Sequence, residues 1–198
     1  MQASFVTQPN DPSVFDGIRF FDTSTDPGRA GIQSWAWTFG DGATAAGSSP
    51  VHQYAADGDY TVGLTVTTVD GRSASTTGTV HVATHDVAIT AFRVPSAARA
   101  GRTRTITVEV RSVRYAETVQ VKLMRSVQGA GFETVARLTL PIPVQSRATP
   151  FVFNYLFTDG DAAQGKVTFK AVATIVGAHD AQPVDNTVIA PITTVSKR

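Results

Sequence analysis

The sequence predicts an all-β chain built as two tandem immunoglobulin-like β-sandwiches, and three observations carry that reading. Apolar residues recur at every second position, not at helical spacing. Short runs of Gly, Asp, Pro and Ser interrupt them at intervals of roughly 8–12 residues, the rhythm of short sandwich strands. Charge also divides along the chain. Before His85, three Arg face eight acids, a net −5; from His85 onward, fourteen Lys or Arg face eight acids, a net +6. A split of that kind supports two domains, and 198 residues suffice for two sandwiches of about 100 residues each.

The first half alternates through Ile18 and Phe20, then Trp35, Trp37 and Phe39, then Val62, Leu64 and Val66, then Val80 and Val82. Successive strand side chains point to opposite faces, so each run presents one apolar face to a core. The punctuation is Asp26-Pro27-Gly28, Gly40-Asp41-Gly42, Gly47-Ser48-Ser49-Pro50, Asp57-Gly58 and Asp70-Gly71. The second half repeats the pattern. Val87, Ile89 and Phe92 open it, followed by Ile106, Val108 and Val110, then Val119, Val121 and Leu123. Val135 and Leu138 come next, then Phe151, Phe153 and Tyr155, then Val167, Phe169, Ala171 and Ala173, with Val188 to Val195 as one last run. About seven strands result, the number of an immunoglobulin-like sandwich. Gly129-Ala130-Gly131 marks a hairpin and Asp159-Gly160-Asp161 a turn. Pro141 and Pro143 lack the amide a central ladder needs, so they belong at an edge or between strands. The boundary falls near Val82 to Asp86, giving domains 1–83 and 84–198. The short connection implies limited hinge freedom.

Composition excludes several classes. With no cysteine there is no disulfide framework, thiolate metal site or cysteine nucleophile. No apolar run reaches the roughly 18 residues of a membrane helix. Met1 to Val6 lacks the charged and apolar regions of a signal peptide, and the chain reads as a fragment of something larger. The basic half suits an anionic surface such as acidic polysaccharide, but its charges form no dense run, and mutual attraction of the halves or plain scatter explains them as well.

Four blocks in order resemble the polycystic kidney disease (PKD) domain. They are Phe20-Phe21-Asp22-Thr23-Ser24-Thr25, Ile32 through Gly42, Ser49-Pro50-Val51-His52-Gln53-Tyr54, and Gly58-Asp59-Tyr60-Thr61-Val62. The physics of the residues agrees. Trp37 and Phe39 share parity and belong in the core. Gly40 and Gly42 supply backbone freedom, and Asp41 accepts from nearby amides. Tyr60, two residues after Gly58, reads as a tyrosine corner with its hydroxyl on the backbone. The second half resembles CARDB adhesion modules through Asp86-Val87-Ala88-Ile89, Val94-Pro95, Ala100-Gly101, Ile106 to Val110 and Pro183 to Thr187. A fibronectin type III-like domain reads similarly.

The PKD resemblance implies one metal hypothesis. Some members, including those of bacterial collagenases, hold calcium through a linker oxygen and acidic turn residues. The candidates here are Asn10, Asp11 and Asp26, with the carbonyls around Pro27-Gly28; calcium takes about six to eight oxygens. Such relatives carry a second acid where this chain has Gly28, and turn formation alone accounts for Asp26. No other cofactor is expected. His52, His81, His85 and His179 show no ligand spacing. His52 reads as packed and bonded to backbone, His81 as facing solvent or a groove, and His85 as a boundary residue. No Gly-x-Ser-x-Gly elbow or relay supports a nucleophile, so no catalytic residue is assigned. Trp35 shares parity with Trp37 and is expected inside. Tyr115, Phe132, Tyr155 and Phe157 are the aromatics to inspect in the second half. Basic-aromatic interleaving for nucleic acid is missing.

The expected function is a non-catalytic extracellular or cell-surface module of a prokaryotic protein, acting as spacer, adhesion or assembly unit. Its partners would be other domains of the parent or other surface proteins, polysaccharide, or copies of itself joined through sheet edges. The alternative is an accessory module of a secreted hydrolase that binds polysaccharide or protein fibres. Exposed aromatics in a row would favour the alternative; a bare Thr/Ser/Lys surface would favour the spacer.

Overall fold

A computed structural model describes residues 1–112, 114–144 and 147–197. The chain forms two compact units, Met1–Thr84 and a second from His85 onward.

The first unit has seven strands: β1 (Phe5–Gln8), β2 (Ile18–Asp22), β3 (Ile32–Thr38), β4 (Thr44–Ala46), β5 (Val51–His52), β6 (Gly58–Thr68) and β7 (Ser73–Val82). They form two sheets, in the orders β1-β2-β5 and β4-β3-β6-β7. The long antiparallel pair β6 and β7 runs in unbroken register from Gly58 opposite Val82 to Thr67 opposite Ser73. Alternation sets the core. Val62, Leu64 and Val66 of β6 and Val80 and Val82 of β7 meet Ile18, Phe20, Trp37, Phe39 and Tyr54 in one buried cluster. Trp37 is its largest member, and its indole N–H donates to the Gly47 carbonyl at 2.8 Å. That bond removes the cost of burying the polar edge of the ring. Gly40 explains its own identity: its φ is +82°, and an added Cβ would lie 2.7 Å from the Thr61 carbonyl oxygen.

Among the described residues the second unit has ten strands: β8 (Val87–Arg93), β9 (Ala97–Arg99), β10 (Thr103–Ser112), β11 (Glu117–Val127), β12 (Gly131–Ile142), β13 (Thr149–Leu156), β14 (Lys166–Val167), β15 (Phe169–Ile175), β16 (Thr187–Ile189) and β17 (Thr193–Ser196). The sheets are β13-β10-β8, β12-β11-β15-β16 and a small one, β14-β17-β9. Ile106, Val108 and Val110 of β10 share one core with Val119, Val121 and Leu123 of β11, and with Phe151, Phe153, Phe157, Phe169 and Ala171. Pro141 lies on β12, the edge of its sheet, opposite Thr118. There its missing amide disrupts no ladder.

Three expectations need correction. The run Val188 to Val195 is two strands in two different sheets, β16 and β17. Ala190-Pro191-Ile192 separates them, and Pro191 has no amide to carry a ladder across. Asp159-Gly160-Asp161 is not a bare turn but opens a helix, α1 (Asp159–Gln164), capped by Thr158. The ten strands exceed the seven expected because β9, β14 and β17, two to four residues each, make a sheet too short for periodicity to show.

Candidate functional site

Strand β3, the turn after it and strand β5 bring the motif residues of the first unit together. Gly40 and Gly42, both at positive φ, turn the chain so that Asp41 faces back. Asp41 Oδ1 accepts the Ala43 amide at 3.0 Å, and its Oδ2 meets His52 Nε2 at 2.7 Å. The His52 ring lies flat on Phe39, centroids 4.2 Å apart and 8° between planes. Tyr54 stands edge-on to His52, is buried, and donates its hydroxyl to the Phe39 carbonyl at 2.9 Å. Tyr60 stacks on Tyr54 at 3.9 Å and donates to the Ala56 carbonyl at 2.8 Å, the expected tyrosine corner. Desolvation pushes the Asp41 carboxyl upward, but the Ala43 amide and His52 outweigh it and hold it below the usual carboxylate value. Burial pushes the Tyr54 phenol up to about 12. The constellation therefore holds an acid that stays ionised and a phenol that stays neutral, both committed to the fold. His52 corrects the backbone-bonded expectation, because its partner is the Asp41 carboxylate.

The other end residues are equally engaged. Asp57 Oδ1 accepts the Thr84 amide and hydroxyl at 3.0 and 2.6 Å, fastening the last residue of the unit. His81 is exposed and pairs with Asp59 at 2.6 Å. Trp35 is half-buried, and its indole donates to Asp22 Oδ2 at 2.7 Å. His85 pairs with Glu117 at 2.7 Å and lies beside the Tyr115 ring.

Of the three calcium candidates, Asp26 is committed to other partners. Asp26 Oδ1 accepts the Gly28 amide and Arg72 Nη1; Oδ2 accepts the Ala30 amide and Arg72 Nη2, all within 2.9–3.2 Å. Arg72 turns its Nε to Asp70 at 2.9 Å, so one guanidinium links two carboxylates. Gly28 is what admits it: a Cβ there would lie 2.6 Å from Arg72 Nη2. Thus the residue after Asp26-Pro27 leaves room for a side-chain cation beside Asp26. Asn10 lines a groove with Val6, Gln8 and Phe21. Among the described residues, no group of three or more His, Cys, Asp or Glu is set to hold a metal.

The second unit holds a polar network that the sequence reading missed. Asp161 is fully buried. It accepts from Arg125, from the Tyr155 hydroxyl at 3.0 Å and from the Thr158 amide at 2.8 Å. Arg125 also donates to Glu133 at 2.6 Å. Burial works against the Arg125 charge, yet Glu133, Tyr155 and Asp161 outweigh it and raise its affinity for the proton. Burial lifts the Tyr155 phenol to about 12, with the Asp161 charge adding to it. The available signal was Thr158-x-x-Asp161, a capping-box spacing ahead of Ala162.

The outward faces are hydroxyl-rich. On β6 and β7, the exposed Thr61, Thr65, Ser75, Thr77 and Thr79 alternate with buried or half-buried residues, and Thr65 and Ser75 hydrogen-bond across the pair at 2.8 Å. Among the described residues, Phe15 is the one aromatic with most of its surface open. Phe132 is half-buried with Lys170 over its ring, and Tyr155 and Phe157 belong to the core.

Residues 3–84 match the family model described as PKD domain. The PKD1 domain of Vibrio anguillarum Epp is 34% identical, with 40% of this chain and 89% of that domain covered and a TM-score of 0.36. The chain belongs to the PKD domain family through this first unit. A microbial collagenase of Vibrio alginolyticus is 41% identical to the PKD unit over 76 residues, which span 38% of this chain and 9% of the relative. The chain therefore spans about a tenth of the length of that curated relative. The PKD domain is a non-catalytic module, here with relatives that are enzymes. Across both units, fibronectin(III)-like modules of Clostridium thermocellum CbhA share the fold at 13% identity and a TM-score of 0.51, covering 98% of this chain and 95% of that one. A CARDB domain of the Pyrococcus furiosus PF1109 protein, solved with di-metal ions, is a neighbour at 14% identity and a TM-score of 0.44, covering 57% of this chain and 89% of that one.

Proposed function

We propose that this chain is a non-catalytic extracellular module of a secreted or surface protein, and that it spaces and presents the domains attached to it. The observation that carries the reading is the outer face of β6 and β7, a ladder of Thr and Ser with no row of aromatic rings. Aromatic rings supply much of the contact energy of many sugar- and fibre-binding surfaces. A hydroxyl face keeps its water and stays free of neighbours. Chemistry finds little purchase either, because the titratable groups of the PKD motif are bound into the fold at Asp41, His52, Tyr54 and Tyr60.

The second reading is an accessory fibre-binding module, favoured by the similarity of the PKD unit to that of a microbial collagenase. Co-sedimentation with collagen fibrils and with insoluble polysaccharide separates the two, with light scattering run on the same sample. The spacer reading expects the chain in the supernatant as a monomer. Saturable capture on either fibre overturns it in favour of the accessory binder.

A further inference from the structure

The segment after β15 returns to the start of the second unit. The His85 carbonyl accepts the Ala181 amide at 2.8 Å, and Asp180 accepts the Val87 and Gln182 amides at 3.3 and 2.9 Å. A 3-10 turn, Pro183–Asn186, then packs against β8. Four buried side-chain atoms among the described residues have no hydrogen-bond partner, and three belong to this place: Asp86 Oδ1, Asp185 Oδ1 and Asn186 Oδ1. Asn186 is only 5% exposed. The fourth, Ser49 Oγ, is a hydroxyl that can rotate and act as either donor or acceptor. An ionised carboxylate oxygen and an amide oxygen are acceptors, and none of these three has a donor.

The electrostatics point the same way. Burial, then Asp185, then Asp180 raise the Asp86 carboxyl above its usual value, with Arg114 opposing. Burial and Asp180 raise Asp185. A divalent cation would both meet these acceptors and offset the repulsion between the carboxylates.

We propose that Asp86, Asp185 and Asn186 are protein ligands of a divalent cation, and that the cation is calcium. The set is all oxygen, without the nitrogen or sulfur that zinc and copper prefer. Calcium accepts carboxylates and amide carbonyls in flexible geometry and completes its shell with backbone carbonyls and water, whereas magnesium demands a near-ideal octahedron. Two carboxylates and one amide make a mixed oxygen set of the kind calcium accepts. The ligands come from both ends of the unit. A bound ion would clip the first strand to the turn before β16 and stiffen the unit. This site is separate from Asn10, Asp11 and Asp26, and it holds whether or not the chain acts as a spacer.

The test is calorimetric titration of the chelator-treated full chain with calcium and with magnesium, alongside thermal unfolding with each. Saturable calcium binding at one ion per chain, with a rise in Tm, is expected by about 1 mM, the range of extracellular calcium modules. Magnesium should bind at least about tenfold more weakly, given its stricter geometry. Asp86→Asn and Asp185→Asn each relieve the repulsion, so both should fold without metal at an unchanged or higher Tm and lose the calcium response. Asp26→Asn should keep it. No calcium binding up to about 10 mM, beyond the weakest such modules, overturns the proposal. So does a full response in both Asp86→Asn and Asp185→Asn, or its loss in Asp26→Asn alone.

Discussion

Arg72 shows how one side chain joins carboxylates that lie far apart in the sequence. It sits between Asp26 and Asp70, and Gly28 makes the space. The Arg72 hydrogen bonds are the main cause holding the Asp26 carboxyl below its ordinary value; for Asp70 the Thr68 hydroxyl comes first and Arg72 second. Both folded-state values therefore lie below the unfolded value of about 3.9. Their contribution to stability is complete above that value and is lost as pH falls through the folded values. Urea unfolding from pH 5 down to 2.5 should show a loss of stability beginning near pH 4. In Arg72→Met the Asp26 share of that loss should shrink to what the Gly28 and Ala30 amides sustain, giving a shallower acid limb. An acid limb of unchanged slope would show that Arg72 does not set these carboxyls. The sequence pointed to Asp26 and to the departure at Gly28. It did not show Arg72 as the partner, because 46 residues separate the two and only the fold brings them together.

Among elements, strands with long alternation were legible, and those defined by a break were not. Strands β6 and β10 follow their period-two runs, since burial on one face is the property that periodicity reports. Strands β16 and β17 read as one run because Val188, Ala190, Ile192 and Val195 are all apolar; the missing Pro191 amide decides otherwise. Helix α1 was hidden for another reason. Its six residues are too few for a 3.6-residue period, and Asp-Gly-Asp is ordinary turn vocabulary. Its capping box is what makes it a helix. Thr158→Ala should cost about 0.5–2 kcal/mol, the usual value of an N-cap. Asp161→Ala should cost more, about 1.5–3 kcal/mol, because the half-buried Arg125 loses a charged hydrogen-bond partner while keeping Glu133. Chemical denaturation of the two variants measures the order. Equal losses would mean that the Arg125 network contributes no more than the cap.

At the scale of the molecule, the two cores use separate stretches of chain. Every buried member of the first cluster lies between Ile18 and Val82, and every member of the second from Val87 onward. The charge split across His85 foreshadowed that division. The PKD motif was legible because its core aromatics, its positive-φ glycines and its corner tyrosine sit close together in sequence. The Arg125 and Asp86 clusters were not, because their members lie on distant strands and turns. The motif residues of the first unit hold the fold of that unit. The most direct test is urea unfolding of residues 1–84 expressed alone and followed by tryptophan fluorescence. A single cooperative transition is predicted, with the buried Trp37 emission shifting to the red on unfolding. A chain that is unstructured without urea, or that loses its fluorescence signal gradually with no transition, would contradict the account.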